Sequence, residues 1–204
     1  MDGQEADFIH VFEPGRADKP PLLLLHGTGG DERDLLPLGR MVAPSFALLS
    51  PRGKVLEQGM PRFFRRLAEG VFDEADLIRR TDDLADFVEA ACAEHGLSAP
   101  VALGFSNGAN IAAAMLYRRP ETLAGAALIR AMTPFAQAPA APLAGKPVLI
   151  LSGDADPILP AENAARLAAA LEGAGAAVSH HILPAGHGLT QADLKLTTEW
   201  MTRW

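Results

Sequence analysis

One serine, one histidine and one aspartate in this chain stand where side chains could do covalent chemistry. Ser106 lies in Gly104-Phe105-Ser106-Asn107-Gly108, the pattern G-x-S-x-G. Pro100-Val101-Ala102-Leu103 before it is an apolar segment that reads as a buried strand, and Ala109 to Tyr117 after it is rich in helix formers. A strand that turns at once into a helix around a serine is a nucleophile elbow. Such a turn strains the serine backbone, and glycines two positions to either side let strand and helix approach without a Cβ clash. The hydroxyl then stands exposed near the positive end of a helix dipole.

A serine is a poor nucleophile at neutral pH and needs a base, which in turn needs an orienting group. In open α/β sheets reactive groups collect at the carboxyl ends of strands. The later strands end in Gly153-Asp154-Ala155-Asp156-Pro157 and in Pro184-Ala185-Gly186-His187-Gly188. His187, in a glycine-flanked loop just before a helix, is the expected base. His10 on an edge strand, His95 at a helix end and His180 and His181 within a strand are weaker candidates, and His26 is expected to pack or hydrogen-bond beside the loop that follows it. Two aspartates compete as orienter. Asp156 is the stronger, because Pro157 stiffens the turn that holds it, whereas Asp154 suits a turn cap.

The developing oxyanion needs two N–H donors, and losing one typically costs about 3 kcal/mol. Asn107 N–H, next after the serine, is one candidate. Thr28 N–H, in the loop His26-Gly27-Thr28-Gly29-Gly30, is the other. That loop lacks the lysine and spacing of a phosphate-binding Walker motif. Asp154-x-Asp156 has no histidine or glutamate nearby to complete a metal site, so neither a metal nor a cofactor is expected.

The elements that must position these residues follow from hydropathy. Pro21 to Leu25 is continuously apolar, as a central parallel strand covered on both faces must be. Further strands are expected over 8–12, 46–49, 125–129, 146–152 and 177–183. Helices are expected from an Asp31 cap to about Val42, over 161–173 and from 190 to about 203. Asp76 to His95 reads as a long amphipathic helix with Leu77, Thr81, Leu84, Val88, Ala91 and His95 on one face. Residues 132–145 read as loop. Alternating strands and helices imply a mostly parallel, doubly wound α/β sheet of about seven strands with helices on both faces. Residues 51–75 read as a long irregular excursion, the kind of segment that often walls a pocket. Met60, Phe63, Phe64 and Phe72 could form its apolar wall, with Arg62 or Arg65 meeting a substrate carboxylate or phosphate. Equally, the phenylalanines could anchor the loop to the core while the arginines face solvent.

The chain has 204 residues, a length that suits one domain. A net charge of −7, with no basic stripe, argues against a nucleic-acid partner. No apolar run approaches the roughly 18 residues of a membrane span. The single cysteine, Cys92, allows no internal disulfide and reads as inert core. With the acidic start Met1-Asp2-Gly3-Gln4-Glu5 it suggests a reducing cytoplasm. A homodimer is plausible on frequency alone.

Taken together, the chain resembles the small carboxylesterase/phospholipase-type α/β-hydrolases, the group that also contains acyl-protein thioesterases. The resemblance is carried by Leu25-His26-Gly27-Thr28-Gly29-Gly30, Gly104-Phe105-Ser106-Asn107-Gly108-Ala109, Ser152-Gly153-Asp154-Ala155-Asp156-Pro157-Ile158-Leu159-Pro160 and Ala185-Gly186-His187-Gly188-Leu189. These pieces span nearly the whole chain in the family's order. The resemblance implies a single α/β-hydrolase domain over 1–204, a Ser106–Asp156–His187 triad, and an oxyanion hole from Thr28 and Asn107. It implies hydrolysis of a small-molecule ester without a cofactor, with thioester or lactone cleavage as alternatives and a non-catalytic binding protein as the outside reading. A bacterial branch carries stretches similar to Ser50-Pro51-Arg52-Gly53, Gly59-Met60-Pro61-Arg62-Phe63-Phe64 and Phe72-Asp73-Glu74. Some members of that branch are linked to quinone or hydroquinone stress, which implies small or ring-derived esters. The chain departs from acyl-protein thioesterases in the oxyanion loop and the excursion, against protein-lipid substrates. Dienelactone hydrolases resemble the fold too but carry a cysteine at the elbow, where this chain has Ser106.

Overall fold

The computed structural model describes residues 8–204. The segment Met1 to Glu5, on which part of the expectation of a cytoplasmic protein rested, lies outside the described residues. Seven strands form the central sheet: β1 (His10–Glu13), β2 (Leu22–Leu25), β3 (Leu48–Pro51), β8 (Val101–Phe105), β9 (Gly125–Ile129), β10 (Pro147–Gly153) and β11 (Ala177–Leu183). Their spatial order is β1-β3-β2-β8-β9-β10-β11, and only β1 runs antiparallel to its neighbour. The mostly parallel, doubly wound sheet expected from the alternation of elements is therefore the fold observed.

Among the described residues, five α-helices cover the sheet: α1 (Leu36–Val42), α2 (Glu74–Glu94), α3 (Asn107–Arg118), α4 (Ala161–Gly173) and α5 (Gln191–Met201). The side-chain period of two sends alternate strand residues to opposite layers. Leu23, Leu25, Ala102 and Ile150 enter the core with α2, α3 and α4, while Leu22, Leu24, Leu103 and Leu151 enter the core with α1 and α5. All four leucines of β2 are fully buried, which is why that run shows no polar alternation. Among the described residues, no helix is long and apolar enough to cross a membrane.

Three expectations need correction. Helix α1 begins at Leu36 rather than after Asp31, whose carboxylate instead takes the Arg33 N–H in a local turn. Pro37 has no N–H and fits only the first turn of a helix, so it sets that late start. The excursion is not irregular throughout. It holds two hairpins, β4 (Val55–Glu57) with β5 (Met60–Arg62) and β6 (Arg66–Ala68) with β7 (Val71–Phe72). The first turns through Gln58 and Gly59, both with positive φ, as a tight two-residue turn requires. Finally, His95 does not share the buried face of α2. It is exposed at the helix end, with its ring stacked on Phe12 at 3.7 Å.

Candidate active site

Ser106 occupies the turn between β8 and α3 with φ 52° and ψ −113°. The left-handed φ is costly for a residue with a side chain. It is held by Ser106 N–H donating to Ile129 O at 2.9 Å, and by Asn110 N–H donating back to Ser106 O at 3.0 Å. The flanking glycines are sterically required. A Cβ at Gly108 would fall 2.0 Å from Leu25 O, and one at Gly104 would fall 2.6 Å from Gly108 O. Strand β2, strand β8 and helix α3 can meet this closely only because both positions lack a side chain.

His187, in the loop between β11 and α5, reaches the serine from the far side of the sheet end. Its Nε2 lies 2.9 Å from Ser106 Oγ, and its Nδ1 lies 2.8 Å from Asp156 Oδ2. An ionised carboxylate only accepts, so Nδ1 carries the proton and Nε2 is left to accept from the serine hydroxyl. The second Asp156 oxygen accepts from Ile158 N–H at 2.8 Å and Leu159 N–H at 3.1 Å. The Asp156 side chain is 1% exposed. Asp154, the competing orienter, is exposed, and His187 Nδ1 pairs with Asp156 instead. The geometry is that of a hydroxyl with a base in hydrogen-bond reach and an orienter behind the base, an arrangement able to generate a serine nucleophile. The other histidines lie elsewhere. His180 pairs with Ser152 Oγ at 2.9 Å, and His26 is buried, its Nε2 accepting from Gly53 N–H at 3.0 Å.

Thr28 and Asn107, the two expected oxyanion donors, line the same cavity as Ser106. Asn107 is the first residue of α3, where an N–H has no intrahelical acceptor. Among the described residues no main-chain carbonyl accepts from Thr28 N–H. Both residues are tied to the excursion. Arg62 Nη1 donates to Thr28 Oγ1 at 2.7 Å, Gly29 N–H donates to Pro61 O at 2.9 Å, and Phe63 N–H donates to Asn107 Oδ1 at 2.7 Å.

A cavity of about 330 Å³ opens over Ser106, with Thr28, Arg62, Phe72, Met132 and His187 among its lining residues. A second cavity, of about 480 Å³, adjoins it across Gly70, Phe72 and Met132. Of the residues expected to wall the pocket or meet substrate, Arg62 and Phe72 line the Ser106 cavity. Phe63 and Phe64 do not. They are 2% and 0% exposed in the main core, Phe63 against the His26 ring and Phe64 edge-on to Phe72. Both lie in the link between the two hairpins, after β5 ends at Arg62 and before β6 starts at Arg66, and Phe72 is left to line the cavity. Arg62 is itself 3% exposed, paired with Glu57 at 3.2 Å, and burial depresses the pKa of its guanidinium. Arg66 joins the same carboxylate and also lines the cavity. Among the described residues, no group of three or more histidine, cysteine, aspartate or glutamate side chains could hold a metal ion.

The reading of the sequence missed Arg130. It follows the wholly buried strand β9, has φ 57°, and its guanidinium reaches the His187 loop. The signal was present: a charge that directly continues a five-residue apolar strand must be buried and paired.

Residues 6–204 match the phospholipase/carboxylesterase family. MhqD of Bacillus subtilis (strain 168), a protein whose name carries the word hydrolase, is 46% identical over 94% of this chain and 96% of its own. Among solved structures, a Bacillus cereus carboxylesterase superposes with a TM-score of 0.94 at 48% identity, over 96% of this chain and 94% of that one. YahD with malic acid superposes with a TM-score of 0.92 at 34% identity, over 97% of this chain and 99% of that one.

Proposed function

The chain belongs to the phospholipase/carboxylesterase family and is an ester hydrolase; from that premise we propose that it cleaves small carboxylic esters through an acyl-enzyme on Ser106. The observation that carries this reading is the continuous relay Ser106 Oγ–His187 Nε2 (2.9 Å) and His187 Nδ1–Asp156 Oδ2 (2.8 Å), with Ser106 and His187 lining a 330 Å³ cavity. Ser106 Oγ adds to the ester carbonyl as its proton passes to His187 Nε2. The carbonyl oxygen takes the negative charge beside Thr28 N–H and Asn107 N–H. The C–O bond to the leaving alcohol then breaks, and His187 returns the proton to the departing alkoxide. Water, deprotonated by the same nitrogen, attacks the acyl-serine, and collapse releases the acid and restores the serine. Asp156 keeps the ring in the tautomer that this sequence of transfers needs and stabilises the imidazolium between steps.

The size of the cavity favours short acyl groups. Arg62 and Arg66 at its wall favour esters that carry a carboxylate on the acyl or alcohol side, and a relative seen with malic acid, a dicarboxylate, supports that preference. Thioesters and lactones present the same carbonyl to the same groups, and pocket shape decides among them. The test is hydrolysis of p-nitrophenyl esters from acetate to dodecanoate by wild type and Ser106→Ala. We expect turnover that peaks at short chains and falls on the order of 10⁵-fold or more in the variant. Activity within tenfold of wild type in Ser106→Ala would remove the serine from the mechanism.

A further inference from the structure

Resting on that reading of Ser106, His187 and Asp156, we propose that Arg130 and Asp193 are positioning residues that hold the His187 loop where its imidazole meets the serine. The loop leaves open space beside its two glycines. A Cβ at Gly188 would meet nothing within 4 Å, and one at Gly186 would meet only Ala155 O at 3.7 Å. Besides Ala155 N–H, which donates to Ala185 O at 3.1 Å, what holds its main chain is Arg130. The guanidinium donates from Nε to Gly186 O at 2.9 Å and from Nη2 to Gly188 O at 3.2 Å, catching the carbonyls on both sides of His187. Its two terminal nitrogens fork onto the two Asp193 oxygens at 2.8 and 2.9 Å. Asp193 in turn accepts from Thr190 N–H and Oγ1, which starts α5 at the far end of the same loop.

The main chain of the same residue completes the link. Arg130 N–H donates to Leu151 O at 2.8 Å on β10, the strand that leads to Asp156, and the preceding carbonyl, Ile129 O, accepts from Ser106 N–H. One short stretch at the end of β9 therefore sets the relative heights of all three reacting side chains.

Stability alone does not account for this pair. The Arg130 and Asp193 side chains are 0% and 2% exposed, and a buried ion pair is commonly no more stable than apolar residues of similar size. The positive φ of Arg130 adds strain. Both costs fall on the residue that grips the histidine loop.

The test is Arg130→Met/Asp193→Asn, which removes the buried charge together with its counter-charge and leaves an acceptor for the Thr190 cap. We expect a folded protein whose kcat on an alkyl ester falls on the order of 10²-fold while KM stays within about threefold. The loss on a p-nitrophenyl ester is smaller, because p-nitrophenolate departs without a proton from His187; a merely structural role would lower both alike. The Nδ1 proton shared with Asp156 should give a far-downfield resonance in the proton NMR spectrum of wild type and none in the variant. If the double variant does not fold, Arg130→Lys, which keeps a charge opposite Asp193 but loses the fork, carries the same readouts. A retained resonance with equal, about threefold or smaller, losses on both esters would overturn the proposal. The resonance reports ring position without turnover, so a wild type inert toward every ester would refute the esterase reading while the clamp still stood or fell on the NMR signal.

Discussion

Asp156 and Asp154 are two positions apart, yet one is sealed behind His187 with two main-chain amides on its free oxygen and the other faces solvent. Asp156→Asn should lower kcat by roughly 10⁴-fold by favouring the wrong histidine tautomer. Asp154→Asn should change it by less than about twofold, and steady-state kinetics on one ester reads both. A following proline made this distinction legible before any coordinates. The fate of Phe63 and Phe64 was not legible, because an aromatic residue in a loop is the same letter whether it faces a pocket or the core. Phe64→Ala should cost about 3–5 kcal/mol in denaturant-measured stability. A pocket role would instead show as a raised KM in a protein of unchanged stability. His26 gives a pH dependence. Burial lowers its pKa below the ordinary histidine value, and its Nε2 must stay unprotonated to accept from Gly53 N–H. The native state thus binds fewer protons than the unfolded chain. The ring's contribution to stability is complete above the unfolded value of about 6.5 and is lost as pH falls from there through the depressed native value. Thermal melts between pH 7 and 5 should fall more steeply for wild type than for His26→Gln.

At the scale of elements, the excursion behaves as two units. Residues 53–65 are fastened to Thr28, to Asn107 and, through Arg65 N–H and Asp76 Oδ2 at 2.8 Å, to the start of α2. The second hairpin carries Leu67 at 73% exposure and borders both cavities through Gly70 and Phe72. Amide hydrogen exchange should be slow at Phe63 and fast over 67–70; uniform fast exchange over 53–72 would mean that the whole excursion moves as a lid. The sheet strands and the helices α2 to α5 were legible within a few residues, because their apolar periods are long and strong. The hairpins were not, because strands of two or three residues show no period. Met132 lines both cavities, so Met132→Ala should join them and move the chain-length optimum toward longer acyl groups, read from the same p-nitrophenyl series.

For the whole molecule, the two side-chain layers share one sheet, since neighbouring residues of the same strands feed opposite cores. Trp200 and Trp204 belong to the layer with α1 and α5, so their fluorescence reports that layer, whereas far-UV circular dichroism reports all helices. The two signals should trace one coincident denaturation curve. The backbone at Ser106 carries a consequence of a different kind. A residue with φ 52° and ψ −113° sits in a region that glycine enters without penalty, so Ser106→Gly relieves strain worth about 1–3 kcal/mol, less the greater freedom glycine has when unfolded. The inert protein should therefore melt at a higher temperature than the wild type. A laboratory screen that rewarded heat resistance alone would drive this chain away from its chemistry at that one position: thermal endurance and reactivity are in direct competition there, and only selection for turnover keeps the serine in place.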